Sequence, residues 1–166
     1  MTSRAITVSA IAFTLCLRAH GTAPMLAPPF GDNMILQREM SVPVWGTADA
    51  GSGIQVTFAG QTQSTTADAQ GKWTLKLDPM SANAENRPLI VSSGAEKTEV
   101  KDVLVGEVWV CSGQSNMEMG IGMCQDAEKE IAAANDPLLR IRAINKVLSP
   151  MPTSALPTAS AWLPTT

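Results

Sequence analysis

Histidine is all but missing: the 166 residues hold one, His20. It falls in a segment that reads as removable, so a hydrolase using imidazole as its general base cannot be complete within the remaining chain. Cysteine is scarce too, with Cys16, Cys111 and Cys124. Once Cys16 is gone, an oxidising compartment permits a bridge between the other two, and two separate buried thiols fit equally well; neither makes a disulfide framework. No clustered positive surface is evident, with 12 Lys and Arg against 15 Asp and Glu, and that excludes nucleic acid as a partner. Beyond the first residues no apolar run is long enough to hold the chain in a membrane.

The N-terminus has the layout of a Sec signal peptide over residues 1–23. Arg4 supplies a small positive region, Ala5–Leu17 is apolar but too short to span a bilayer, and the small residues Gly21 and Ala23 follow. Cleavage after Ala23 is expected, with Ala19 the second choice. Leu15 stands where a lipoprotein signal needs a small residue, which argues against an anchor at Cys16. The competing reading is a buried N-terminal helix. Loss of Arg4 and Arg18 with the leader leaves ten basic and fifteen acidic side chains, a net charge of −5. A secreted or periplasmic product follows, long enough for one small domain plus a remainder, or for one medium domain.

From residue 24 to 102, short apolar runs broken by turn residues predict an antiparallel β-sandwich. Gly31-Asp32-Asn33 turns into Met34-Ile35-Leu36. Val42, Val44 and Trp45 form a second strand, in which Pro43 favours an edge because it has no N–H to donate. Ile54, Val56 and Phe58 alternate with polar neighbours, as do Trp73, Leu75 and Leu77, and a threonine-rich strand runs between them. A loop from Asp78 to Pro88 precedes Leu89-Ile90-Val91, and a last strand covers Glu96–Val100. Trp45, Phe58 and Trp73 are expected to fill the core; as the large rings of this region they suit a sugar-binding platform less well.

At residue 103 the pattern changes. Val103–Val105 and Val108–Val110 form a nearly continuous apolar run, as in a strand buried on both faces of a parallel sheet. It leads into Cys111-Ser112-Gly113-Gln114-Ser115-Asn116-Met117. A helix capped by Asp126 is expected through Ala134, then a strand over Leu138–Val147 with Leu139, Ile141 and Ala143 on its apolar face. Residues 103–166 thus begin an α/β domain, but the proline-rich tail, anchored by Trp162, adds no strand to close it.

A serine at the sharp turn after a buried strand is where hydrolases present a nucleophile, and Ser115 occupies that place. Gly113 allows a tight turn beside it. The second glycine of the α/β-hydrolase elbow is missing, so that family does not fit. Glu118 and Asp126 have no imidazole to orient and read as solvated or capping groups. Met117, Met119 and Met123 read as pocket lining or core, and with Cys124 they lack metal-ligand spacing.

Ser112-Gly113-Gln114-Ser115-Asn116-Met117-Glu118-Met119 resembles the first block of the sialate O-acetylesterases, a branch of the SGNH hydrolases related to certain carbohydrate acetylesterases. Phe30–Arg38, Val42–Gly46, Asp68–Trp73, Val103–Trp109 and Ala132–Arg140 resemble that family's N-terminal region in the same order. The resemblance implies a β-sandwich followed by the first strand-helix-strand of an SGNH-type, flavodoxin-like domain. It also implies removal of O-acetyl groups from sialic acid or other glycan sugars: Ser115 attacks the ester carbonyl, an acetyl-serine forms, and water releases acetate. Ser115 would be nucleophile and oxyanion donor through its own N–H, with Gly113, Gln114 and Asn116 as oxyanion-side or turn-fixing groups. No metal or cofactor is implied.

In SGNH enzymes a glycine and an asparagine of later blocks complete the oxyanion hole, and a histidine near the domain's end, commonly paired with aspartate, is the base. None can be located here, so the isolated chain is expected to be an inactive fragment, partly unfolded after Val103. The alternative is a non-catalytic secreted module whose β-sandwich binds glycan.

Overall fold

Alternation along the strands sets the interior. In the computed structural model, which describes residues 21–151 and 160–165, every second residue of β3 (Val42–Thr47) faces inward, placing Val42 and Val44 in the core. The short β1 (Met25–Leu26) and β2 (Ile35–Gln37) precede it. β4 (Gly53–Phe58) buries Ile54, Val56 and Phe58, and β6 (Lys72–Leu77) buries Trp73, Leu75 and Leu77, with the threonine-rich β5 (Gln61–Thr66) between them. β7 (Asn83–Ser93) and β8 (Glu96–Gly106) are the long strands.

These strands form two sheets, β1-β3-β6 and β2-β8-β7-β4-β5. Val44, Trp73 and Leu77 of the first meet Val56, Phe58, Leu89, Val91 and Val103 of the second in one hydrophobic cluster, so the β-rich class expected from the sequence is what forms. Each fully buried aliphatic or phenyl side chain contributes roughly 1.5–3 kcal/mol. Two glycines are required. A Cβ on Gly46 would overlap the Met25 carbonyl oxygen and stand 2.8 Å from the Trp73 ring, so only glycine lets β1 close on β3. Gly71 has φ 73° and sits against the Ala48 carbonyl, in a turn whose Asp68 carboxylate accepts from the N–H groups of Gln70 and Lys72.

Several expectations are corrected. The sandwich is not wholly antiparallel, because β2 pairs parallel to β8; no hairpin joins these two strands, so no turn sets their direction. β7 starts at Asn83 rather than Leu89, and Pro88 lies inside it, tolerated where the register to β8 slips on either side of Arg87. Pro43 is in the middle strand of its sheet, yet β1 covers only the far end of β3, leaving an open flank beside the proline. Trp45 is not in the core. Valines 42 and 44 take the inward positions, so period-two geometry turns Trp45 outward, 37% exposed, with Phe30 edge-on at 4.7 Å.

The region after β8 departs further. β8 runs through Gly106, so the boundary read at residue 103 falls within a sandwich strand. Residues 108–110 form no strand, and Trp109 and Val110 are 82% and 89% exposed. The expected buried parallel strand is therefore absent: Val103–Val105 spend their apolar faces on the sandwich and leave nothing to cover the rest. Helix α1 (Ala127–Ala133) does form, with Asp126 before it, but Asp126 is left-handed and makes no capping bond, and the helix buries no residue. β9 (Asp136–Ile141) is shorter than the expected strand and pairs antiparallel with β10 (Leu163–Thr165), a strand the proline-rich tail was not expected to supply. Of β9 only Arg140 is buried, inverting the face expected from Leu139 and Ile141. The signal peptide expected at residues 1–23 lies, except for its last three residues, outside the described residues, and so does His20. Among the described residues no helix is long and apolar enough to cross a membrane.

Candidate active site

The route from the sandwich to Ser115 is gripped at its start. Arg38 Nε donates to Glu107 Oε1 at 2.6 Å and Gln37 Nε2 to Glu107 Oε2 at 3.1 Å, while the Val108 N–H donates back to Gln37 Oε1 at 2.8 Å. Hydrogen bonds from Gln37 and Arg38 hold the Glu107 carboxyl below its ordinary pKa, and the bond to Glu107 raises that of Arg38. The chain leaves β8 in one direction because these side chains fix its first two residues.

Ser115 then opens a 3-10 turn, Ser115–Glu118, followed by a second at Ile121–Met123. The Met117 N–H donates to the Gln114 carbonyl at 2.9 Å, and a Cβ on Gly113 would stand 3.0 Å from Met117 Cγ, so Gly113 is where the methionine folds back over the turn. The first N–H groups of such a turn, that of Ser115 among them, have no acceptor within it. Gly113, Gln114, Ser115 and Asn116 are all exposed. Met117, Met119 and Met123 are exposed as well, not core or pocket lining, and Cys111 and Cys124 are exposed and unbridged, neither buried nor paired. Lys146 pairs with Glu118 at the end of the turn.

No residue of the Ser115 turn lines either of two clefts on the sandwich. These clefts, of about 450 and 320 Å³, lie at the β4–β5 turn and share Ala59 and Arg87. Among the described residues no three His, Cys, Asp or Glu side chains gather as a metal would require. The nucleophile expected from the sequence is thus an accessible hydroxyl on a tight turn, with no histidine among the described residues and without the buried strand expected before it.

A group that sequence reasoning missed lies at the other end of the Ser115 segment. The Arg140 side chain is 3% exposed and pairs with Asp102, Nη1 to Oδ2 at 3.0 Å. Its Nε donates to the Pro137 carbonyl, and Nη1 also donates to the carbonyls of Asn33 and Asp102. Beside it Arg142 Nη1 and Trp162 Nε1 both donate to the Pro29 carbonyl, with the Arg142 guanidinium 5.9 Å from the Trp162 ring centroid. Burial pushes the pKa of Arg142 down. The signal was the spacing of Arg140 and Arg142 in a stretch that reads as a strand, but alternating arginines read as a wet face; Arg142 in fact lies just past the end of β9.

No protein-family model matches the chain. Over 69% of its length it is 31% identical to the sialate O-acetylesterase of Mus musculus, covering 23% of that protein, and 33% identical to that of Rattus norvegicus with the same coverage. The human sialate O-acetylesterase is 30% identical over 69% of the chain and 24% of its own length. The chain belongs to the sialate O-acetylesterase family. It spans about a quarter of the length of the curated relatives it matches. The solved structure of a carbohydrate acetylesterase from Xanthomonas citri superimposes with a TM-score of 0.80 at 34% identity, over 86% of this chain and 32% of that one.

Seen with the family resemblance, the blocks noted in the sequence fall at contacts rather than at random. Phe30–Arg38 of this sialate O-acetylesterase homologue supplies Asn33 to Arg140 and Gln37 and Arg38 to Glu107. Val42–Gly46 supplies Trp45 to Phe30 and Gly46 to β1.

Proposed function

We propose that this chain is the nucleophile-bearing portion of a carbohydrate O-acetylesterase, exported from the cytoplasm by residues 1–23, that acts on O-acetylated sialic acid or another acetylated sugar. Membership of the sialate O-acetylesterase family is the observation that carries the reading. Ser115 Oγ attacks the acetyl carbonyl, the sugar hydroxyl leaves, and water hydrolyses the acetyl-serine to acetate. The N–H of Ser115, which has no acceptor within its own turn, supports its place as an oxyanion donor, and Gly113, Gln114 and Asn116 shape that turn. Residues 24–166 hold no histidine, so on this reading the imidazole base of the SGNH enzymes comes from polypeptide outside them. Without it Ser115 keeps an ordinary hydroxyl, and the chain alone is inactive.

A chimera tests this: residues 24–140 replace the matching quarter of the Rattus norvegicus enzyme, and hydrolysis of an aryl acetate is followed. Activity that vanishes with Ser115→Ala is the expected result; activity that survives the substitution refutes the assignment.

The outward Trp45, with Phe30 beside it, favours a second reading in which the sandwich is a non-catalytic glycan-binding module. Titration of the chain with plain and acetylated sugars, followed by tryptophan fluorescence, separates the two: saturable quenching lost in Trp45→Ala supports the module.

A further inference from the structure

We propose that Arg140 is a positioning residue for Ser115: its pairing with Asp102 closes the excursion that carries the serine onto the sandwich at one point, and so decides where the Ser115 turn stands relative to the two sheets. The role assigned to Ser115 rests on the esterase reading above; the closure itself does not.

The excursion leaves the sandwich after Gly106, the end of β8, and returns at Arg140, whose partner Asp102 lies 38 residues before it in the chain. Between Glu107 and Leu139 every residue is exposed except the half-buried Ala127. Apolar burial therefore does nothing to fix this segment, and its place depends on polar contacts: those at its two ends and the exposed Lys146–Glu118 pair, which solvent screens. At the first end Gln37 and Arg38 hold Glu107 and Val108. At the second stands Arg140, the one charged side chain buried among the described residues. A guanidinium is buried only where its donors are met. Here Nη1 and Nη2 fork onto the two oxygens of Asp102 at 3.0 and 3.4 Å, Nη1 is shared with the carbonyls of Asn33 and Asp102, and Nε donates to the carbonyl of Pro137. Asn33 and Asp102 both hold left-handed backbone, φ 63° and 56°, a conformation that asparagine and aspartate tolerate better than most residues.

Both anchors rest on the same stretch, Asn33 to Arg38, so the two ends of the excursion are tied to one short piece of chain. Tying both ends restricts the positions open to a segment between them. A lysine at 140 keeps the charge but lacks the planar fork that meets several acceptors at once. The sandwich is on this view the platform that aims the nucleophile.

The test measures position, not rate. Spin labels are placed by Ser115→Cys and, on the exposed side of β5, Ser64→Cys, in a chain with Cys16, Cys111 and Cys124 replaced by serine, and the distance distribution is read by pulsed dipolar spectroscopy. The parent chain is expected to give one narrow distance. Arg140→Met is expected to broaden it at least about twofold while melting of the sandwich core holds, because only the tether is cut. Arg140→Lys should lie between. Asp102→Asn, which keeps the side chain's shape, should broaden it as well, and stands in if Arg140→Met is not recovered folded. A broad distribution in the parent, an unchanged width in Arg140→Met and Asp102→Asn, or a loss of the core in both would overturn the proposal. None of these readings needs catalysis, so an inactive chimera alongside a broadened Arg140→Met would sink only the esterase reading.

Discussion

Arg140 and Asp102 are 38 residues apart in the chain and 3.0 Å apart in space, the first enclosed and the second still in touch with water. Removing one partner of a buried pair leaves the other charge uncompensated, at a cost of about 3–5 kcal/mol when both are enclosed. The Asp102 side chain is 29% exposed, so Asp102→Ala should cost less, about 2–3 kcal/mol. Urea unfolding followed by circular dichroism measures it, and a change under about 0.5 kcal/mol would mean that the pair is incidental.

Phe58 and Trp45 belong to facing parts of one sandwich and differ in direction. Phe58→Ala, in the core, should lose about 3–5 kcal/mol. Trp45→Ala gives up an outward ring and its edge contact with Phe30, about 1 kcal/mol. Equal losses in chemical denaturation would contradict the inward and outward assignment.

At Gly46 the interference is local. Gly46→Ala places a methyl group against the Met25 carbonyl and the Trp73 ring, so β1 must lift away from β3. Hydrogen exchange at the Ala27 amide, which donates to the Trp45 carbonyl, should speed up in the variant while the Val56 amide keeps its protection. Overpacking of this kind costs about 1–3 kcal/mol.

Glu107 carries the pH dependence of the grip on the segment after β8. Its folded pKa lies below the ordinary glutamate value because Gln37 and Arg38 hydrogen-bond the ionised form. The stabilisation is therefore complete above the unfolded glutamate pKa and is lost as pH falls through the lower folded value. A carbon-13 titration of the carboxyl should show the lowered midpoint, and Gln37→Leu should move it back up. A midpoint unaffected by that substitution would remove Gln37 from the grip.

Ser115 is exposed, so Ser115→Ala should leave stability within about 0.5 kcal/mol. The unmodified chain should hydrolyse an aryl acetate no faster than this variant. A clear serine-dependent rate would mean that a base is present within the chain after all.

Much of the sandwich was legible because its signals are local. Ile54, Val56 and Phe58, and Trp73, Leu75 and Leu77, alternate without interruption, and both strands form as read. The same rule, followed strictly, would have turned Trp45 outward, since Val42 and Val44 already held the inner positions; size was weighed above parity. Pro88 concealed the start of β7, because the register slips that accommodate it depend on β8. Arg140 was unreadable as an anchor, because its acceptors Asn33 and Asp102 lie 107 and 38 residues away in the chain, where no spacing rule points to them.

The amino-acid sequence alone determined the strand periodicity, the Asp68–Gly71 and Asp32–Asn33 turns, the helix after Asp126 and the order of blocks that marks the family, because each is written within a few neighbouring residues. Tertiary structure alone decided that β2 runs parallel to β8, that Val103–Val105 serve the sandwich, and that a guanidinium closes the Ser115 segment onto it. Those choices depend on partners tens of residues away, and long-range pairing leaves no imprint on local periodicity.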